Sequence, residues 1–215
     1  MSGRQSTRDY IKETLMERIL SGVYEPGERL VELQIAQELG TSQGPVREAL
    51  RDLEALGLVE SASYKGTRVR VFSDREIEES YQVRAVLEQL AAELAAPRLK
   101  GSTAELEKEV KAFQKAARDG DVKSYSAHDM EFHRKIVEAS DNQLLSTMWS
   151  AVVLESKFRF TLKHRIGEDD LENFAAAHVP IFDALNAGDG VKAGTLVRNL
   201  ICTFHSRKPP AKKSK

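Results

Sequence analysis

Up to the tail at residue 207, only residues 58–71 space their apolar side chains by two; elsewhere the spacing is three and four. A period of two puts successive side chains on opposite faces of a strand, whereas a period near 3.6 lines one face of a helix. In "LVESASYKGTRVRVF", Leu58-Val59 and the alternating Val69 and Val71 flank a turn around Lys65-Gly66, which predicts a two-stranded hairpin. The fold expected is therefore mainly α, broken once by β structure.

Three short helices precede the hairpin. "STRDYIKETLMERILSG" carries Ile11, Leu15, Ile19 and Leu20 on one face, with Ser6 or Thr7 as N-cap. After the Pro-Gly turn of "VYEPGERL", "VELQIAQELG" turns Leu33, Ile35, Ala36 and Leu39 inward and stops at Gly40. "TSQGPVREALRDLEALG" then starts at Thr41 or Ser42, holds Pro45 in its first turn, and spaces Val46, Leu50, Leu53 and Leu56 helically. Three compact helices joined by one very tight turn and followed by a hairpin form the winged helix-turn-helix pattern, in which the helix after the turn enters the major groove. Residues 1–72 are read as this domain. Its 11 basic residues against 12 acidic ones through residue 75 mean that any DNA contact depends on a few well-placed cations.

From Ser73 the pattern is helical throughout. Six amphipathic segments follow, two of them opening with Ser-x-x-Glu boxes, Ser73 with Glu76 and Ser102 with Glu105. Residues 73–206 thus read as an all-α antiparallel bundle with room for a pocket, joined to the first domain by a short hinge. Residues 207–215, "RKPPAKKSK", hold five basic residues and no acidic one, and are expected to be a disordered basic tail. No apolar run reaches the roughly 18 residues that a membrane span needs, so no membrane partner is expected. The start of the chain lacks an apolar leader segment and Cys202 is the sole cysteine, which favours a reducing cytoplasm; Cys202, inside "LVRNLICTF", is expected to pack in the core.

Within "HDMEFH", Asp129 and His133 lie about 40° apart around a helix and one turn apart along it. They can face one ion, or form an ordinary surface ion pair. His128 points about 100° away from Asp129, and His164 sits in the basic stretch "KHR".

The whole chain resembles a GntR-family transcriptional regulator of the FadR type with a C-terminal FCD ligand domain. The resemblance rests on "ERLVELQIAQELGTSQGPVREALRDLEALGLVE" with "YKGTRVRV", and on "VRAVLEQLAAELA", "DMEFHRKIVEASDNQLL" and "HVPIFDALNAGD". It implies a homodimer that binds a palindromic operator, usually as a repressor, and that changes affinity when a small carboxylate effector enters the bundle. Arg47 matches the family's DNA-contacting arginine, and Lys65-Gly66 match the wing tip. Ser42, Gln43 and Arg51 complete the expected DNA-facing set; Gln43 can read adenine, while Gly44 stands where the family usually has a side chain.

The same resemblance implies a divalent metal site. Asp129, His133 and His178 match three of the usual four ligands, a set suited to zinc, nickel or manganese. The fourth histidine position falls at Leu200, and His205 lies about 140° further round the helix, so the ion would be held by three protein ligands. Pro180 is expected to kink or start a helix just after His178. Arg84 matches an arginine near the family's effector pocket, with a salt bridge to Glu88 as the alternative. Two other readings stand beside this one. In the first, the regulator's pocket is metal-free; in the second, an Asp/His/His cation activates water in a hydrolase, which leaves "PVREAL" and the wing unexplained. No enzymatic function is expected.

Overall fold

The computed structural model describes residues 6–20, 22–62, 66–163 and 168–206, the side chains of 154–163, 168–170 and 204–206 excepted. The chain forms two compact units, residues 1–73 and 74–215. The basic tail, His164 and the wing-tip residue Lys65 fall outside the described residues.

The first unit runs α1 (Thr7–Leu20), β1 (Arg29–Leu30), α2 (Glu32–Glu38), α3 (Gln43–Ala55), β2 (Val59–Ala62) and β3 (Gly66–Val69). Ser6 caps α1, its Oγ accepting from the Asp9 N–H at 3.1 Å. The turn between α2 and α3 is closed by Gly40, whose φ of +62° is a left-handed conformation that a side chain disfavours. There the Gly40 N–H donates to the Gln37 carbonyl and the Thr41 N–H to the Ala36 carbonyl, the double bond pattern that ends a helix abruptly. Two residues later Ser42, extended at φ −89° and ψ 164°, begins α3. Ile11, Leu15, Ile19, Ile35, Ala36, Val46, Leu50, Leu53 and Val69 form the core.

Two sequence expectations change here. The sheet has three strands in the order β1-β3-β2, because Arg29-Leu30 pairs antiparallel with β3; a two-residue strand shows no alternation to detect. Leu33 is 50% exposed, since it stands about 200° from Ile35 and cannot share that residue's buried face.

The second unit contains α4 (Asp74–Leu99), α5 (Ala104–Arg118), α6 (Val122–Ala139), α7 (Gln143–Lys163), α8 (Glu168–Ala187) and α9 (Gly190–Ser206). α4 is central, packing against α6, α7, α8 and α9. Its contact with α9 is backbone-close: a Cβ built on Gly190 would lie 2.6 Å from the Glu93 carbonyl oxygen, and one on Gly194 would lie 2.9 Å from that of Gln89.

α8 runs continuously through Pro180, so no helix starts after His178: the ring removes one N–H from the helix but does not end it. The box expected at Ser102 does not cap α5 either. That helix starts one residue later, after Thr103, whose hydroxyl donates to Asn186 Oδ1 at 2.9 Å. Cys202 is exposed rather than buried. Val197 and Ile201 carry the buried stripe of α9, and Cys202 stands about 100° away from Ile201. Among the described residues, no helix is long and apolar enough to cross a membrane.

Candidate functional site

On α3, Ser42, Gln43, Arg47 and Arg51 are all exposed. The Arg47 fork is engaged with Glu32 of α2, its Nη2 lying 2.7 Å from Oε2 and its Nε 3.1 Å from both carboxylate oxygens. That bidentate pair fixes the direction in which the guanidinium leaves the helix. Arg51 pairs with Glu48 at 2.7 Å on the same helix, and Arg8 of α1 grips Asp52 through two bonds of 2.6 and 2.7 Å. Gly66 opens β3 with φ +76°.

In the second unit, α6 brings Asp129 and His133 to His178 of α8, with the three ligating atoms within 4.8 Å of one another. His178 Nε2 lies 3.0 Å from Asp129 Oδ1 and 3.4 Å from His133 Nε2. Both histidines are buried, at 2% and 1% exposure, so the pair is no surface ion pair. The other nitrogen of each ring is committed elsewhere. His178 Nδ1 lies 2.7 Å from the Phe174 carbonyl, which can only accept, so this nitrogen carries the proton.

His133 Nδ1 faces Glu88 Oε2 at 2.5 Å, off the line of a well-aligned bond, and neither atom has another partner. A proton on Nδ1 is what makes that approach attractive. Both Nε2 atoms are thereby turned, lone pair first, toward one point beside a carboxylate. A proton or a cation must lie between them for such an approach to be favourable.

Glu88 was invisible as a site residue in the sequence except as a possible partner for Arg84. It is 1% exposed, and its Oε1 accepts from Arg84 Nε at 2.6 Å and from Trp149 Nε1 at 2.7 Å. One carboxylate thus ties α4, α6 and α7 together. Burial alone would push the Glu88 carboxyl up, but the Arg84 guanidinium and His133 hold it well below the usual carboxylate range. Asp129 follows the same logic: burial raises it most, and the neighbouring His178, His133 and Arg84 together bring it below the usual range. Tyr125, one turn before Asp129, is pushed up by burial and by the Asp129 charge.

The sequence signal for Glu88 was its place in a buried stripe of α4 that includes Ile77, Tyr81, Arg84, Ala85, Ala91, Ala92 and Ala95, where a charge needs a partner. Trp149 is both core and donor, 4% exposed and bonded through its Nε1 to Glu88. Phe113 and Phe132 close the cluster, with ring centres 4.8 and 5.5 Å from His178. Arg84 forms the salt bridge that the sequence left open. His128 turns outward to Glu109, 2.8 Å away, and Leu200 lies half-buried on α9 with no donor to offer.

The set fits a divalent cation chemically: two imidazoles with fixed tautomers and one hard oxygen in an aromatic, largely dry enclosure, each imidazole oriented by a second partner.

Residues 79–202 match the FCD domain, and residues 7–69 match the bacterial regulatory proteins of the gntR family. The chain is 36% identical over 187 residues to a probable D-xylose utilization operon transcriptional repressor of Paenarthrobacter nicotinovorans, covering 86% of this chain and 81% of the relative. It is 28% identical to the gluconate operon transcriptional repressor of Bacillus subtilis, covering 86% and 78% respectively. In fold it is similar to E. coli McbR/YncC, with a TM-score of 0.81 at 24% identity over 92% of this chain and 94% of the other.

Proposed function

Since this chain belongs to the gntR family of bacterial regulatory proteins and carries an FCD domain, we propose that it is a transcriptional repressor whose operator affinity is set by a small carboxylate held at Asp129, His133 and His178 through a divalent cation. The observation that carries the effector half is the convergence of two lone-pair-bearing Nε2 atoms, 3.4 Å apart, beside Asp129. When bound, the cation supplies a Lewis-acidic centre for an effector oxygen. Of the protein's own groups, Glu88 and the Phe174 carbonyl orient the two imidazoles. Arg84, its Nε held by Glu88, adds positive charge beside Asp129 and favours an anionic effector.

On the DNA side, the helix-turn-helix belongs to the regulator family, and the proposed contacts are Ser42, Gln43, Arg47 and Arg51 on α3, with Lys65 and Gly66 of the wing. A homodimer on a palindromic operator agrees with the exposed apolar stripe of α4. Val83, Val86, Leu90 and Leu94 recur there at helical spacing and are 39–53% exposed. The bacterial cytoplasm is the compartment this role requires.

A metal-free pocket is the second reading, favoured by the 3.0 Å contact between His178 and Asp129, which a proton alone can bridge. Elemental analysis decides between them: the purified protein is expected to hold about one divalent ion per chain, and Asp129→Ala/His133→Ala to hold none. Equal content in both would end the metal reading. For the DNA half, fluorescence anisotropy with the duplex upstream of the protein's own gene should show salt-dependent binding. Arg47→Ala should weaken it by roughly 1–3 kcal/mol and relax discrimination at one base position. Unaltered binding by that variant would remove Arg47 from the interface.

A further inference from the structure

In the first unit, most arginines already have partners. Arg8, Arg18, Arg47 and Arg51 each meet a carboxylate, and Arg70 lies over the Phe72 ring at 4.5 Å. Arg29 and Arg68 differ. They stand directly opposite each other on β1 and β3, both are exposed, and among the described residues neither forms an ion pair. Glu60 is the cross-strand neighbour of Arg68 on its other side, yet it does not approach closely enough to pair. The Arg29 guanidinium extends to the start of the hairpin's return strand, its Nε 3.3 Å from where a Cβ on Gly66 would sit.

Like charges placed opposite one another across a sheet oppose folding. The pairing becomes favourable when an anion lies across both forks, and a phosphate diester suits two adjacent planar guanidiniums. We propose that Arg29 and Arg68 together form a phosphate-binding site on the wing sheet that grips the DNA backbone independently of α3. The proposal rests on the operator-binding reading above, and it adds a contact that carries no base information. In a unit of almost balanced charge, the two arginines that form no ion pair among the described residues thus stand side by side on the wing sheet.

The test uses the full chain and anisotropy titrations on the operator and on a scrambled duplex of equal length, from 50 to 200 mM salt. Arg29→Ala/Arg68→Ala is expected to lose affinity by the same factor on both duplexes. Its log–log salt slope should fall by about 0.9 per arginine, and with both protomers of the proposed dimer contributing two arginines each this flattens the change across this range by roughly a hundredfold. Its thermal midpoint should hold or rise, because the repulsion is gone. Arg29→Lys/Arg68→Lys keeps the charges and should retain most of the slope. An unchanged slope in the alanine variant, or a loss confined to the operator, would overturn the proposal while leaving DNA binding intact. Absence of DNA binding by the unmodified protein would instead fail the operator reading, and this site with it.

Discussion

Glu88→Ala is expected to destabilise the helical unit by roughly 3–5 kcal/mol, the usual consequence of removing one member of a buried ion pair. The loss is large because three donors depend on that carboxylate. Arg84 would keep a charge at 7% side-chain exposure with no counter-charge on its Nε, while the Trp149 N–H and His133 Nδ1 would lose their acceptor. Urea unfolding followed by the fluorescence of Trp149, the one tryptophan in the chain, reports on this unit selectively. Arg84→Met/Glu88→Leu should recover part of the stability, since it removes the unpaired charge but leaves the Trp149 N–H and His133 Nδ1 without an acceptor. It should not restore the proposed metal binding, because His133 would no longer be oriented. A single Glu88→Ala change costing under about 1 kcal/mol would show that the network contributes little.

Gly190→Ala is expected to produce the second large effect, with a sign opposite to the ordinary one. An alanine is normally worth up to about 1 kcal/mol more than a glycine within a helix, and less at a first position such as Gly190 of α9. At Gly190, however, the added methyl meets the Glu93 carbonyl oxygen at 2.6 Å and further Glu93 backbone atoms at 3.2 and 3.3 Å. The nearest atoms are backbone, so no side chain can rotate away and α9 must separate from α4. A net loss of about 1–3 kcal/mol follows from overpacking. Gly44→Ala is the control: nothing lies within 4 Å of its added Cβ, so that change should leave stability equal or higher. Equal unfolding midpoints for the two variants would mean that the α4–α9 seam yields easily.

The helices were legible because each buries a stripe whose period the sequence displays, as with Ile11, Leu15 and Ile19 in α1 or Val197 and Ile201 in α9. Where a residue lies off its stripe, apolar character alone misleads, and Leu33 and Cys202 are exposed for that reason. The third strand was illegible because Arg29-Leu30 is defined by its partner on β3, a contact between residues nearly forty positions apart. Asp129 and His133 were visible as a helical pair. Their junction with His178 came from resemblance, since no local rule joins α6 to α8. Glu88 marks the limit of pattern reading, for an i,i+4 Arg/Glu pair looks the same in sequence on a surface and in a core. What separates the two is the apolar stripe around the pair, from Ile77 and Tyr81 to Ala91 and Ala92, and that stripe marks a buried face without showing which groups α6 and α7 bring against it.

The Arg47–Glu32 pair bears on how well DNA sequences can be told apart. In its proposed role, Arg47 reaches any DNA already satisfied by a carboxylate 2.7 Å away. A stray phosphate therefore has to displace or share a partner of equal charge, and such encounters are weakened. A guanine edge in the right register accepts from both prongs of the fork, and the neighbouring helix contacts add to it. Glu32 thus subtracts a similar amount from every complex in which Arg47 leaves it, so in this role it lowers tightness, and the gap between the operator and other sequences rests on what the fork gains from the guanine edge.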